Sequence, residues 1–511
     1  MANISALIEQ MQKPEFYSHP VPEPIKLIQT HVSYVILAGD YAYKIKKAVN
    51  FGFLDFSSLE KRKHFCEEEI RMNRAIAPEI YLEVVPIKET VSEKFSLEEN
   101  GKIVEYAVKM QQFPQENLLS ELFAAGQLTA ENIEELGKTV AEFHAVAVTN
   151  DRITSFGEVE VIREAFDENY QQTEKYIGIA QTKEQFDATK KYSNDFFAEK
   201  KELFKQRRDN QKIKECHGDL HLRNICLWKN KIQLFDRIEF NEPFRFVDVM
   251  YDVAFAVMDL DARGRSDFAN IFLNTYLERT GDWEGLQLLP LYLSRQAYVR
   301  AKVTSFLLDD PNIPPEVKAD SKKTAADYYR LAWEYTKNKQ GKLFLMSGLS
   351  GSGKSTVAKE LAKNSGAIQI RSDAVRKHIA GIALNQKGGE DLYSEEMTQK
   401  TYDRLLELGI ILAKVGFPVI LDAKYDRTAL RQKAIERAKS NDIPVRILHC
   451  SAPISVLKER LSQRAKDISD ATPDLLERQI AATEEFTTAE KNYLVEIDTS
   501  SQEWKTQLSR I

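Results

Sequence analysis

Cysteine is scarce in this chain. Cys66, Cys216, Cys226 and Cys450 are the only four in 511 residues, and none forms a C-x-x-C pair or a metal-ligand spacing. That argues against a disulfide scaffold and a cysteine-held metal, and it predicts reduced, buried thiols in a cytoplasmic protein. A basic excess is also missing. The net charge is −6 and the isoelectric point about 5.9, so no general attraction to nucleic acid or to a membrane surface is expected, although local basic pockets stay possible. No hydrophobic run is long enough to span a bilayer. The most apolar stretch, 409–421, is interrupted by Lys414, Gly416 and Pro418, and reads as a helix end followed by a buried strand. Residues 1–10 read as a short amphipathic helix without the basic region or apolar core of a targeting signal. There is no internal repeat and no low-complexity tract. What is present is 43% apolar and 29% charged residues, a globular composition, over a length that calls for two to four domains.

The most specific pattern is Gly348-Leu-Ser-Gly-Ser-Gly-Lys-Ser355, which fits G-x-x-x-x-G-K-S/T at every fixed position. The apolar run 342–346 before it is of strand type, and 356–362 after it has helical spacing. A strand turning sharply into a helix leaves backbone N–H groups pointing outward, with the positive end of the helix dipole behind them. Gly348, Gly351 and Gly353 leave room for phosphate oxygens, and Ser350, Ser352 and Thr356 complete the loop. Lys354 is placed to reach the β- and γ-phosphates, and the Ser355 hydroxyl to hold Mg²⁺.

Earlier in the chain, 32–37 and 41–46 predict two strands joined at Gly39-Asp40. Alternation puts Lys44 and Lys46 on one face of the second strand. A charged helix follows over 58–76, carrying Glu67, Glu68 and Glu69, and then strands at 80–87 and 104–110. The first hundred-odd residues thus predict a small β-rich lobe with one main helix. From 116 the pattern turns helical, with an amphipathic helix over 130–148.

The segment Cys216-His-Gly-Asp219 through Phe235-Asp236 carries the other chemistry. Runs 225–228 and 232–235 predict a hairpin turning at 229–231; pairing Trp228 with Ile232 sets Asn224 opposite Asp236. An amide oxygen and a carboxylate converging there suit an oxygen-ligated Mg²⁺. Asp219, on the loop just before, is placed to accept a proton from an attacking hydroxyl. Asp248 and Asp252 share a helix face near its start, a capping position. Arg295 and Lys302 share another, suited to an anionic ligand or to the fold.

His217-Gly-Asp219, Asn224 and Asp236 together resemble the phosphoryl-transfer layout of protein-kinase-like enzymes. The His-Gly-Asp form is similar to the aminoglycoside phosphotransferase and choline kinase branch, over roughly residues 30–330. The resemblance implies a bilobal fold with Asp219 as catalytic base and Asn224 and Asp236 as metal ligands. It further implies Lys44 on the ATP phosphates with Glu69 as its partner, and the hinge from Met110 through Gln112 to Phe113 on adenine. Asp252 matches the aspartate that braces the catalytic loop. Two features depart from the pattern: no G-x-G-x-x-G precedes Lys44, and the metal aspartate stands in Phe-Asp-Arg rather than Asp-Phe-Gly.

After 338–341 the apolar runs 343–346, 367–370, 418–421, 445–450 and 493–497 alternate with helical stretches, which predicts a parallel sheet wrapped by helices. Asp373 and Asp422 both fall at the carboxyl ends of its strands, where ligands bind. This half resembles small P-loop kinases such as adenylylsulfate, gluconate and polynucleotide kinases and the zeta toxins. The resemblance implies that Asp373 orients or deprotonates a hydroxyl, that Arg376 holds an anionic group, and that Asp422 takes a Walker-B role on Mg²⁺. Arg460 and Arg464, four apart, resemble lid arginines that close over the γ-phosphate.

The expectation is therefore a two-domain α/β and α+β chain. Residues 1–337 form a kinase-like domain and 341–511 a P-loop NTPase-type kinase domain. Each uses ATP and Mg²⁺ to phosphorylate a small-molecule hydroxyl, with no membrane and no general nucleic-acid partner. Two alternatives stand beside it. One is an aminoglycoside-resistance kinase with an accessory P-loop domain; the other is a nucleotide-sensing regulator or a kinase acting on a protein or toxin.

Overall fold

A computed structural model describes residues 3–91, 94–463, 468, 474–501 and 503–508. The chain forms two compact units. One comprises Met1–Glu135, Glu142–Glu164 and Lys200–Ala256; the other comprises Leu136–Ala141, Ala165–Glu199 and Val257–Ile511. The unit containing the parallel sheet thus begins well before residue 341.

In the first unit, strands β1 (Lys26–Gln29), β2 (Ser33–Ala38), β3 (Tyr41–Lys46), β4 (Tyr81–Val91), β5 (Lys94–Ser96) and β6 (Lys102–Gln111) form an antiparallel sheet in the order β1-β2-β3-β6-β4-β5. The expected β2–β3 turn at Gly39-Asp40 is present; β1 and β5 were not expected. One face packs Ile36, Tyr43, Ile45 and Ala107 against Leu7, Ile8 and Met11 of the N-terminal helix Ile4–Met11. The other face is covered by helix Leu59–Arg74, whose buried Cys66 joins Ile80, Tyr81 and Val108. Alternation on β3 turns Lys44 and Lys46 toward that helix, and the helical period turns Glu69 toward them.

Strands β7 (Ile213–Glu215), β8 (Ile225–Trp228), β9 (Lys231–Leu234) and β10 (Phe246–Asp248) form two ribbons, β7 with β10 and β8 with β9. Here the structure corrects the expected register. Trp228 pairs with Lys231, and Leu227 with Ile232. Lys229 and Asn230 both have positive φ, 50° and 60°, and make a two-residue turn, so the hairpin closes one residue earlier than a three-residue turn would allow. Asn224 therefore lies opposite Phe235, whose N–H donates to its carbonyl at 3.0 Å.

In the second unit, β11 (Lys342–Ser347), β12 (Ile368–Arg371), β13 (Pro418–Asp422), β14 (Val445–Ser451) and β15 (Leu494–Asp498) form a parallel sheet in the order β12-β13-β11-β14-β15. Its core joins Phe344, Met346, Ile420 and Leu448 to Val357 and Leu361 of helix Lys354–Ser365. The four cysteines are buried and unbridged. Among the described residues no helix is long and apolar enough to cross a membrane.

Candidate active sites

The first site is organised by an ion cluster. Lys44 Nζ donates to Glu69 Oε1 at 2.8 Å and to Asp236 Oδ1 at 2.6 Å. Lys46 Nζ donates to Glu69 Oε2 at 2.7 Å and to Glu239. The two lysines divide the roles: Lys44 lines an open cavity, while Lys46 is 1% exposed behind it. Glu68 instead pairs with Arg71. Burial pulls the Lys44 ammonium down, but Asp236 and Glu69 outweigh it and hold the group charged. Burial likewise pushes Glu69 up, and the two ammoniums bring it below its ordinary range.

Asp236 follows the hairpin with φ 61°, a left-handed conformation that aspartate, like asparagine, adopts more readily than most residues other than glycine. The chain turns there, aiming the carboxylate at Lys44 despite the shifted register. The next residue explains the Phe-Asp-Arg departure. Arg237 is 4% exposed and donates to the carbonyls of Met72, Glu215 and Cys216, while its own N–H donates to Asn73 Oδ1. One arginine thereby ties the Glu69 helix to the strand that leads into the Asp219 loop.

That loop is set by Asp252. Its Oδ2 accepts the N–H of His217 at 2.9 Å and its Oδ1 that of Gly218 at 2.8 Å; His144 Nε2 lies 3.1 Å from Oδ2. Gly218 has φ 85°, and a Cβ there would come 2.8 Å from the Phe244 carbonyl oxygen, so a side chain is excluded twice over. His217 donates from Nε2 to the Phe235 carbonyl at 2.9 Å, and burial pushes its imidazole below the ordinary value. Asn224 Nδ2 donates to both the carbonyl and Oδ2 of Asp219 at 3.0 Å, so the amide's Oδ1 is the atom it can offer a cation. His221 Nδ1 accepts the Arg223 N–H, which leaves the Nε2 proton for Asp219 Oδ2, 3.3 Å away. Asp248 forms a two-pronged pair with Arg207 and accepts the Met250 N–H, anchoring the same helix start.

Lys44, Met110, Gln112, Asp219, Asn224 and Asp236 all line one cavity of about 430 Å³. Gln112 gives its backbone N–H to Asp40, and its side-chain Oε1 is buried without a partner. Ser33, the first residue of β2, also lines the cavity with an unpartnered hydroxyl.

The second site is built around Gly348–Ser355. Gly348 has φ 129°, and a Cβ there would meet the Cys450 carbonyl oxygen at 2.2 Å. Lys354 Nζ donates to the carbonyls of Gly348 and Leu349 at 2.9 Å, and burial lowers its ammonium. Ser352 Oγ is buried without a partner. Gln479 holds Ser350 from both ends of its amide at 3.0 Å, a contact no sequence pattern announced. Asp422 closes β13 at 4% exposure and accepts from Gln369 Nε2 at 2.8 Å. Asp373 sits in the first turn of helix Ser372–Ala380. Arg376, from the same helix, donates to the Leu392 carbonyl and to Thr398, with its Nε unpartnered. Arg460 is tied to Thr499 and to the Gly351 carbonyl, and it lines a cavity of about 420 Å³ with Gly353, Thr356, Thr499 and Trp504. Arg464 lies outside the described residues. Arg295 stacks on Phe166 at 5.1 Å, and Lys302 donates to Gln172 and is brought down to about 8, first by burial. Both belong to helical packing.

Oxygen donors alone, Asp236 with Asn224 in one site and Ser355 with Asp422 in the other, fit a hard cation such as Mg²⁺. The Lys44 ammonium on Asp236 already shows that this carboxylate accepts positive charge.

Residues 53–289 match the Phosphotransferase enzyme family, a span that includes the His217–Asp236 segment and begins after Lys44. Residues 343–486 match an AAA domain, a span that includes Gly348–Ser355. The chain thus joins a phosphotransferase-type segment to an AAA-type segment that carries the phosphate loop, and it is an enzyme of the phosphotransferase class. Uncharacterized proteins of Mycobacterium tuberculosis strain H37Rv and of Mycobacterium bovis are 29% identical to it over 464 residues, 90% of this chain and 90% of theirs. Among solved structures, the GDP complex of aminoglycoside 2'-phosphotransferase-IIIa is similar at 11% identity over 63% of this chain and 98% of that one, with a TM-score of 0.39. A gluconokinase from Sinorhizobium meliloti is similar at 22% identity over 34% of this chain and 94% of that one, with a TM-score of 0.25.

Proposed function

We propose that the chain is bifunctional, with separate ATP- and Mg²⁺-dependent phosphotransfer sites in segments 1–337 and 341–511, each acting on a hydroxyl of a small molecule. The observation that supports this most is the convergence of Lys44, Asp219, Asn224 and Asp236 on one cavity of the first unit.

In the first site Asp219, oriented by Asn224 and His221, takes the proton of the acceptor hydroxyl, whose oxygen attacks the γ-phosphorus as ADP leaves. Lys44, kept in place by Glu69, holds the phosphates. Met110 and Gln112 border the adenine. In the second site the loop amides and Lys354 hold the phosphates, Asp373 orients the acceptor hydroxyl, and the cavity beside Arg460 and Trp504 takes the base. Asn224 and Asp236 in the first site, and Ser355 and Asp422 in the second, would hold Mg²⁺, which would neutralise phosphate charge when bound.

The test is ATP consumption screened over sugars, amino alcohols, nucleosides and aminoglycosides with wild type, Asp219→Asn and Lys354→Ala. The expected outcome is two acceptor classes. Turnover of one falls about 10²–10⁴-fold only in D219N, as loss of a general base does, and the other falls only in K354A. Basal hydrolysis indifferent to every acceptor would support nucleotide sensing instead.

A further inference from the structure

Helix Ser266–Thr280 lies inside the span matched by the Phosphotransferase enzyme family, yet it belongs to the same compact unit as the parallel sheet. Its Asn270, Asn274 and Glu278 recur every four residues and so form one stripe. The stripe faces the edge strand β12. Asn270 Nδ2 and Asn274 Nδ2 donate to the Ala367 carbonyl at 2.9 and 3.0 Å. Asn274 Oδ1 accepts the Gln369 N–H at 2.8 Å. Glu278 Oε2 stands 3.6 Å from Arg371 Nη1. Eight residues of helix rise about 12 Å, and the four strand steps from 367 to 371 cover about 13 Å. The two repeats therefore stay in step, and the helix satisfies backbone groups that an edge strand would leave open.

The contacts continue into the P-loop site. Gln369 Nε2 donates to Asp422 Oδ2, and Arg371 Nε lies 4.0 Å from that same oxygen. Arg371 thus stands between two carboxylates, Glu278 on the helix and Asp422 on β13. The Lys354 ammonium also feels the Asp422 charge. The far end of the helix is fastened by His378, whose Nε2 donates to the Glu278 carbonyl at 2.8 Å, and just beyond it Arg404 pairs with Glu284.

We propose that Glu278 is a positioning residue for the P-loop site: it draws the Arg371 guanidinium away from Asp422, so that this carboxylate stays available to a divalent cation. The proposal rests on the reading of Ser355 and Asp422 as the cation-holding pair. A guanidinium released from Glu278 would form a two-pronged pair with Asp422 and compete with the cation for its oxygens. The P-loop site is on this account completed by a helix that precedes it by some seventy residues and comes from the neighbouring family segment.

Mn²⁺ binding with a non-hydrolysable ATP analogue, followed by electron paramagnetic resonance on the full chain, tests this. K354A first defines which class of binding belongs to the P-loop. Glu278→Gln is then expected to weaken that class about tenfold, the order that one displaced charge pair at a half-buried site supplies. The Lys354-independent class is expected to stay unchanged. Adding Arg371→Gln to E278Q is expected to recover most of the loss, which a purely structural role for Glu278 would not allow. Unchanged Mn²⁺ binding in E278Q, or no recovery in the double variant, overturns the proposal. Should K354A remove no class of binding, the reading of the phosphate loop itself falls, and the proposal with it.

Discussion

Glu69 is fully buried between the ammonium groups of Lys44 and Lys46, and one of its oxygens serves each. Replacing it with glutamine leaves two buried cations facing Asp236 and Glu239 with no carboxylate between them. Breaking a buried ion pair from one side costs about 3–5 kcal/mol, so Glu69→Gln is expected to lower the urea midpoint by that equivalent and to abolish first-site turnover. His217 carries a pH dependence whose sign is set by burial. Its native imidazole is pushed below 6.5, chiefly by desolvation, whereas the unfolded chain takes up a proton near that value. Stability from this residue is therefore present above about pH 6.5 and drains away as pH falls below it, by up to about 1.4 kcal/mol per pH unit. Urea midpoints at pH 7.5 and 5.5 are expected to differ less in His217→Asn than in wild type. At this scale the sequence marked Asp219, Asn224 and Asp236 as candidates, and the structure brings all three to one cavity. The sequence did not distinguish Lys44 from Lys46, because both sit on one strand face and only the depth of the cleft separates them.

Elements were legible where periodicity was strong. The β2–β3 hairpin, helix Leu59–Arg74, helix Ala130–Val146 and the parallel strands follow the expected patterns within a few residues. The β8–β9 register was not, because two positive-φ residues that are not glycine closed the turn one residue early. The left-handed backbone at Asp236 then restored the aim of its carboxylate, a compensation that residue spacing does not reveal. Helix Ser266–Thr280 shows the same limit: its Asn270-Asn274-Glu278 stripe is visible in the sequence, but an exposed polar face and a strand-edge clamp look alike there. Asn274→Ala removes the partner of the Gln369 N–H. A buried backbone group left unpaired costs about 1–3 kcal/mol, and that loss is expected in the urea midpoint of the sheet-containing unit.

Across the whole molecule, the two proposed nucleotide sites belong to unrelated scaffolds, one beneath an antiparallel lobe and one at the carboxyl end of a parallel sheet. Both were legible because phosphate chemistry constrains local sequence: a loop that must present backbone amides needs glycines at set intervals, and a catalytic loop needs its carboxylates and amide a few residues apart. These are short-range requirements, and the sequence by itself determined them, together with the two fold types and the kinase class. Long-range placement followed other rules. Glu69 reaches Lys44, Arg237 binds the backbone on both sides of the first cleft, and residues from 257 onward join the compact unit of the P-loop sheet through packing and hydrogen bonds that carry no fixed sequence interval. Only the tertiary structure decided them, because burial, and not spacing, selects which of several equivalent charged residues faces the site.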